Sequence, residues 1–191
     1  MKEFKRVLGV DDGPFDRDVD THTYLAGVMA RLDGYVEGVA TRRVSIDGLD
    51  STEQILSMFE THFSSQIDYI MLNGITFAGF NICDITEVYA RTGRPVVSVT
   101  RKEPSLEEMK AALKKHFSDY EARIHILEKT ETVPIELKSK KSVYANLAGI
   151  SEGEATELVN RTIIRGNIPE PVRLAHMIAG AMKKGENKGR S

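Results

Sequence analysis

The 191-residue sequence has one cysteine, no tryptophan, no long apolar run and no excess of charge of either sign. A lone Cys83 excludes an internal disulfide and a paired-cysteine metal site, and in a predicted helix among apolar neighbours it reads as a buried, inert thiol. No stretch reaches the ~20 apolar residues that a membrane helix needs. The charged start MKEFKR runs straight into an apolar strand, without the core of a signal peptide. The expectation is a cytoplasmic protein with no membrane partner. A formal charge of −2 gives no overall field that would draw in nucleic acid, so any contact with it has to come from local patches or a bound cation. None of the five histidines stands at zinc-ligand spacing from another histidine or cysteine. Without repeats or low-complexity linkers, residues 1–182 read as one domain and 183–191, KKGENKGRS, as a disordered basic tail.

What the sequence does have is a clear alternation of element types. Val7–Phe15, VLGVDDGPF, is an apolar strand that ends abruptly in two carboxylates, a glycine and a proline. Thr23–Leu32 and Val36–Ile46 are β-rich runs joined by Asp33-Gly34, a hairpin signal because both residues tolerate positive φ. Asp50-Ser-Thr-Glu53 has the form of a capping box before an amphipathic helix over 51–64. Asp68–Leu72 is a strand covered on both faces, followed by Asn73-Gly74 and ITFAGF. Asn81 and Asp84 are candidate caps for a short helix that stops at Thr92-Gly93, and Pro95–Val99 is a further strand. Ser105 with Glu108 caps the next helix, and residues 119–141 read as helical tail, loop and irregular extended chain. Val143–Ala148 reads as a short strand, Ser151 with Glu154 as the cap of a helix through Ile164, and Pro169–Pro171 as the start of a last helix.

Three antiparallel strands, a crossover helix, then parallel strands alternating with helices is the layout of a ribonuclease H-like three-layer α/β fold, with a mixed central sheet and flanking helices. In that layout the first and fourth strands lie side by side, and their ends collect carboxylates from distant positions. Such clusters bind hard cations and hydrolyse phosphodiesters in line. The candidate catalytic residues are Asp11 and Asp12 from the first strand, with Asp47 and Asp50 from the end of the third. Adjacent strand residues point to opposite faces, so Asp11 ranks first as a metal ligand and Asp12 second. Turn formation explains Asp11 and Asp12 as well as catalysis does, and taken singly Asp47 as a turn residue and Asp50 as a helix cap are more often structural than catalytic. Gly74 and Gly79 lack the Lys and Ser/Thr of a phosphate loop. The segment can still cradle a ligand through backbone N–H groups near Asn81, with Phe77 or Phe80 to stack on a base. Arg101 and Lys102, just after a central strand, are candidate phosphate contacts, and His176 sits three positions after Arg173 on the last helix.

VLGVDDGPF at 7–15, VEGVATRRVSIDGLDSTEQI at 36–55, IMLNGITFAGFNICDI at 70–85, TGRPVVSVTRKEP at 92–104 and NIPEPVRLAHMIAG at 167–180 resemble the archaeal endonuclease dU family. The resemblance covers nearly the whole chain in order. It implies a relative of endonuclease V with a ribonuclease H-like fold, which cleaves deoxyuridine-containing DNA with magnesium or manganese. Gly9–Asp11 is similar to the first-strand motif that supplies a metal aspartate, and Leu72-Asn73-Gly74 is similar to the strand end where endonuclease V has Asp-Gly. Asn73 offers magnesium a neutral carbonyl oxygen and one negative charge fewer. The resemblance thus implies Asp11, Asp12 and Asn73 as metal ligands and DNA with deaminated bases as partner, and leaves a homodimer open. A non-catalytic nucleic-acid or nucleotide binding module on the same fold, or an enzyme acting on a small phosphorylated substrate, are the competing readings.

Overall fold

The structure, a computed structural model, describes residues 5–187, without the side chains of His62 and Phe63. The His62 side chain, one of the five histidines, and the last residues of the basic tail lie outside what is described. Strands β1 (Arg6–Asp12), β2 (His22–Arg31) and β3 (Val36–Ser45) form an antiparallel meander, with Gly34 at φ +92° in the turn between the last two. Helix α1 (Ser51–Met58), prolonged by a wider turn over Phe59–Phe63, crosses back to β4 (Tyr69–Asn73). A small hairpin of β5 (Thr76–Phe77) and β6 (Asn81–Ile82) leads to α2 (Ile85–Thr92) and β7 (Val96–Thr100). Helices α3 (Leu106–His116) and α4 (Tyr120–Leu127) precede β8 (Thr132–Glu136) and β9 (Ser142–Ala148), and α5 (Glu152–Thr162) and α6 (Glu170–Lys184) close the chain.

The main sheet has the order β3-β2-β1-β4-β7-β9-β8. β1 and β4 run parallel side by side, as do β4 and β7, so Asp11, Asn73 and Thr100 come out at one edge. The central strands read as unbroken apolar runs because both faces are covered. Leu8, Val10, Ile70 and Leu72 pack under α1 and α2, with Ile55, Leu56 and Val88. Val7, Met71, Val97 and Val99 pack under α5 and α6, with Leu158, Val159 and Val172.

Helix α6 sits closer to the sheet than side chains normally permit. A Cβ on Gly9 would lie 2.4 Å from the Pro171 carbonyl carbon and 2.6 Å from Val172 N, so only glycine in the middle of β1 lets this helix dock. Pro171 in the first turn suits the helix start, where its missing N–H costs nothing, and Gly185 ends the helix at φ +79°.

Several local expectations are corrected by tertiary partners. The Asp50 side chain does not cap α1; it accepts from Ser45 N and Oγ and from Asn81 Nδ2. Asn81 lies in β6, leaving Asp84 alone as the cap of α2, where it accepts from Thr86 N and Glu87 N. Cys83 follows β6 rather than lying in a helix, and burial pushes its thiol up to about 12. Residues 119–141 are ordered into α4 and β8, the latter at the sheet edge, where Pro134 can be tolerated. The start of the expected tail is also structured: α6 runs to Lys184, and Asn187 Nδ2 donates to the His176 carbonyl.

Candidate active site

The site is built where β1 and β4 end together. The pairing of Val10 with Leu72 sets Asp11 beside Asn73, and alternation aims Asp11 toward α6, on the same face as Gly9. Asp11 is 1% exposed, and all of its partners belong to this edge. Its Oδ1 accepts from Asp12 N at 2.9 Å. Its Oδ2 accepts from Asn73 Nδ2 at 2.9 Å and lies 2.9 Å from His176 Nδ1. The histidine comes from α6, one turn beyond the Val172 that packs against β1, so the close approach at Gly9 is what delivers it. Its hydrogen bond to Asp11 raises the imidazole pKa above the ordinary value, although half of the ring remains in solvent.

Asp12 turns to the opposite face and accepts from Ala78 N at 2.7 Å, in the β5–β6 turn. Burial, reinforced by the Asp11 carboxylate beside it, raises the Asp12 carboxyl from an ordinary 3.8 to about 7. The ionised form of Asp12 is thus disfavoured in the metal-free protein, first by desolvation and then by the charge of Asp11.

The carboxylates from the end of β3 are spent on the neighbouring loop. Asp47 adopts φ +54° and accepts from Phe80 N at 2.8 Å and from Arg17 Nη1 at 2.7 Å. A Cβ on Gly79 would lie 2.2 Å from Asp47 Oδ1, so the turn closes on Asp47 only with glycine there. Arg123, 4% exposed, clamps the same region from α4. It donates to the carbonyls of Gly48 at 3.0 Å, Phe80 at 2.6 Å and Asp47 at 2.9 Å, and its guanidinium lies over the Phe117 ring. Among the described residues no three acidic, histidine or cysteine side chains gather as a metal cluster, so Asp47 and Asp50 do not complete one with Asp11 and Asp12.

The expected substrate contacts divide in the same way. Phe77 is fully buried in the core, with no face left for a base. Phe80 meets Phe117 edge to face at 5.6 Å. Asn81, also fully buried, bonds Ser45 O, Asp50 and Ser51 N, and Gly79 is enclosed by Asp47 and Arg17. Arg101 does reach the site: with Asp11, Asn73, Val172, Arg173 and His176 it lines a hollow of about 310 Å³. Lys102 is exposed beyond it, and Gly74 faces a separate, larger hollow. His176 and Arg173 are the residues that reading the chain left unassigned to the site. The available signal was Gly9, because a glycine inside an apolar strand marks a close backbone approach.

This donor set can be tested against a divalent cation. Magnesium keeps several waters and is often held by one or two carboxylates. Asp11, with Asp12 adjacent in the chain and the Asn73 amide beside it, fits such an open, hydrated ion. They do not fit a closed cage of protein ligands.

Residues 3–183 match the family model described as Endonuclease dU. A UPF0215 protein of Methanothermobacter thermautotrophicus is 40% identical over 190 residues, which cover 99% of this chain and 93% of that protein. The crystal structure of a protein of unknown function from Archaeoglobus fulgidus aligns with a TM-score of 0.81 at 38% identity, over 93% of this chain and 98% of that one. Endonuclease V of Ciona intestinalis, in complex with a 24mer DNA containing an inosine followed by a ribo-adenosine, aligns with a TM-score of 0.60 at 12% identity, over 92% and 84%. What is shared at that distance is the fold, which is ribonuclease H-like.

Proposed function

Because the chain belongs to the endonuclease dU family, we propose that it is a divalent-metal-dependent endonuclease that hydrolyses phosphodiester bonds in DNA containing deaminated bases, deoxyuridine foremost. The observation that carries this reading is the strand-end edge where Asn73 and His176 converge on Asp11, with Asp12 the next residue along the strand. Asp11 and Asp12 would hold magnesium or manganese, with Asn73 contributing its amide oxygen. When bound, the ion supplies charge neutralisation and a water of lowered pKa for in-line displacement. The chain's own residues do the rest. His176 is held through Nδ1 by Asp11, which leaves Nε2 to exchange a proton at the reacting phosphate. Arg101 lines the same hollow and attracts the phosphate backbone there without any basic surface overall, whereas Arg173 beside it is held by Glu170 at 2.6 and 2.8 Å. Asp47 and Asp50 act indirectly, by fixing the loop against which Asp12 is braced. Reaching a damaged base requires its extrusion from the duplex, and the cost is lowest where uracil is mispaired.

One observation favours a second reading. Asn73 puts an amide where a third carboxylate would strengthen metal binding, which suits a module that binds nucleic acid without cutting it. A cleavage assay separates the two: deoxyuridine-containing and matched normal duplexes are incubated with the protein, with and without magnesium, beside Asp11→Ala. Magnesium-dependent cleavage confined to the deoxyuridine duplex and lost in Asp11→Ala is the expected outcome. Binding without cleavage would favour the module, and cleavage indifferent to Asp11→Ala would overturn the proposed site.

A further inference from the structure

A second hollow, of about 500 Å³, lies beside the first and within the ~300–1,000 Å³ usual for small-molecule sites. Consecutive residues divide between the two: Asn73 and Arg101 face the Asp11 side, while Gly74 and Thr100 line the larger cavity. A nucleotide whose phosphate is at the first therefore has its base within reach of the second.

The cavity has an unusual polar element. Ser98 on β7, Asn146 on β9 and Thr132 on β8 are in register and form one polar rung, on a sheet face otherwise built from Val96, Ile70, Leu72 and Ala148. Asn146 lines the cavity and is 6% exposed. Its Nδ2 faces two acceptors, the Thr130 carbonyl at 3.5 Å and Thr132 Oγ1 at 3.2 Å. A carbonyl can only accept, so the amide nitrogen belongs on that side. Oδ1 is left with no hydrogen-bond partner among the described residues, although it is not sealed from solvent, and the neighbouring Ser98 hydroxyl, fully buried, is unpartnered too. An acceptor that the protein leaves without a donor takes one from whatever fills the adjoining cavity, water or a ligand N–H.

The walls indicate the kind of donor. Ile75, Leu106, Met109 and Leu127 are apolar and suit a flat ring. Glu103, Glu128 and Glu131 stand at the lining, while its lysine, Lys110, is engaged by Glu128 at 2.7 Å and Glu107 at 3.6 Å. An anionic phosphate is repelled there, and a neutral base is not.

We infer that this cavity receives the extruded nucleobase and that Asn146 Oδ1 reads it, an assignment that rests on the endonuclease reading above. Deamination of cytosine to uracil replaces the amino group with a carbonyl and turns ring N3 from an acceptor into an N–H donor. Adenine N1 changes in the same way in hypoxanthine. A lone acceptor pairs with the ring N–H that deamination creates, and meets a second lone pair at that position in the unmodified base. Thymine also carries N3–H, so this contact does not separate it from uracil.

The test uses nucleosides and needs no cleavage: deoxyuridine, deoxycytidine and N3-methyldeoxyuridine are titrated into the full chain and followed by NMR. Deoxyuridine is expected to shift Gly74, Thr100 and Asn146 and to bind about tenfold more tightly than the other two, equivalent to about 1.4 kcal/mol. Asn146→Leu should bring all three to one affinity; should that variant not fold, the N3-methyl comparison on the unaltered protein carries the test. Equal affinity for deoxyuridine and N3-methyldeoxyuridine, or shifts confined to other parts of the molecule, would overturn the assignment. Selective nucleoside binding without DNA cleavage would retire the nuclease reading and keep the cavity, whereas cleavage at deoxyuridine with equal nucleoside affinities would do the opposite.

Discussion

Replacing Asp12 by asparagine should make the metal-free protein more stable, by an amount that depends on pH. The asparagine keeps an oxygen to accept from Ala78 N but has no charge to bury beside Asp11. With the Asp12 carboxyl raised from 3.8 to about 7, at ~1.4 kcal/mol per pH unit, its ionised form costs the fold up to about 4 kcal/mol. The sign follows from proton counting. Between about pH 4 and 7 the folded state holds a proton that the unfolded chain has released, so this group's contribution falls as pH rises through that window and is level above it. Urea denaturation in EDTA, wild type against Asp12→Asn, cancels the titrating groups that Asp12 does not influence, leaving Asp12 with its neighbours Asp11 and His176. The variant's advantage should grow by about 3 kcal/mol between pH 5 and 8, seen in thermal melts as roughly 5–10 °C for a chain of this size. Saturating magnesium should then stabilise the wild type and shrink that advantage, because the ion favours the ionised pair. An advantage that is the same at pH 5 and 8, or a loss of stability in EDTA at pH 8, would refute the reasoning.

Arg123→Leu should destabilise the fold by about 3–5 kcal/mol in chemical denaturation, because it strands the carbonyls of Asp47, Gly48 and Phe80; a loss below about 1 kcal/mol would mean that water replaces the clamp. Gly9→Ala places a Cβ 2.4 Å from the Pro171 carbonyl carbon, so α6 must move and stability should fall by at least about 1–3 kcal/mol. Cleavage should fall with it as His176 leaves Asp11, and an alanine variant with normal melting and activity would contradict the docking argument. His176→Ala should leave the fold intact, since half of the ring is exposed, yet reduce single-turnover cleavage by about 10²–10⁴-fold at saturating magnesium; an unchanged rate would remove the histidine from the mechanism.

Period and punctuation made much of this fold readable. Apolar runs placed the central strands, Asp33-Gly34 placed the first hairpin, and alternation separated the two aspartates, which the structure sets on opposite faces, one toward α6 and one toward Ala78. Residues with two possible partners were harder. Asp50 has the spacing of a cap, but Ser45 and Asn81 offer it three donors that a local reading does not see. Phe77, Phe80 and Asn81 have the chemistry of base contacts, but Phe77 is taken by the core under α1 and α2, Asn81 by Ser45, Asp50 and Ser51, and Phe80 by Phe117 and Arg123, all long-range matters. In α4 itself Arg123 is buried together with Leu127 and interrupts the apolar stripe that would mark a buried helix, and β8 is masked by Pro134, tolerated because that strand is an edge. His176 shows the limit most plainly. Its place on a helix is local information, whereas its contact with Asp11, far away in sequence, follows from a glycine that lets two backbones meet.

The central claim is that the end of β1 is a cation site, and direct binding of manganese tests it without relying on any substrate. Electron paramagnetic resonance of Mn²⁺ titrated into the protein at pH 8 should show bound ion in the wild type, competed by magnesium and abolished or weakened by at least about tenfold in Asp11→Asn, equivalent to about 1.4 kcal/mol. Manganese that binds Asp11→Asn as tightly as the wild type would contradict it.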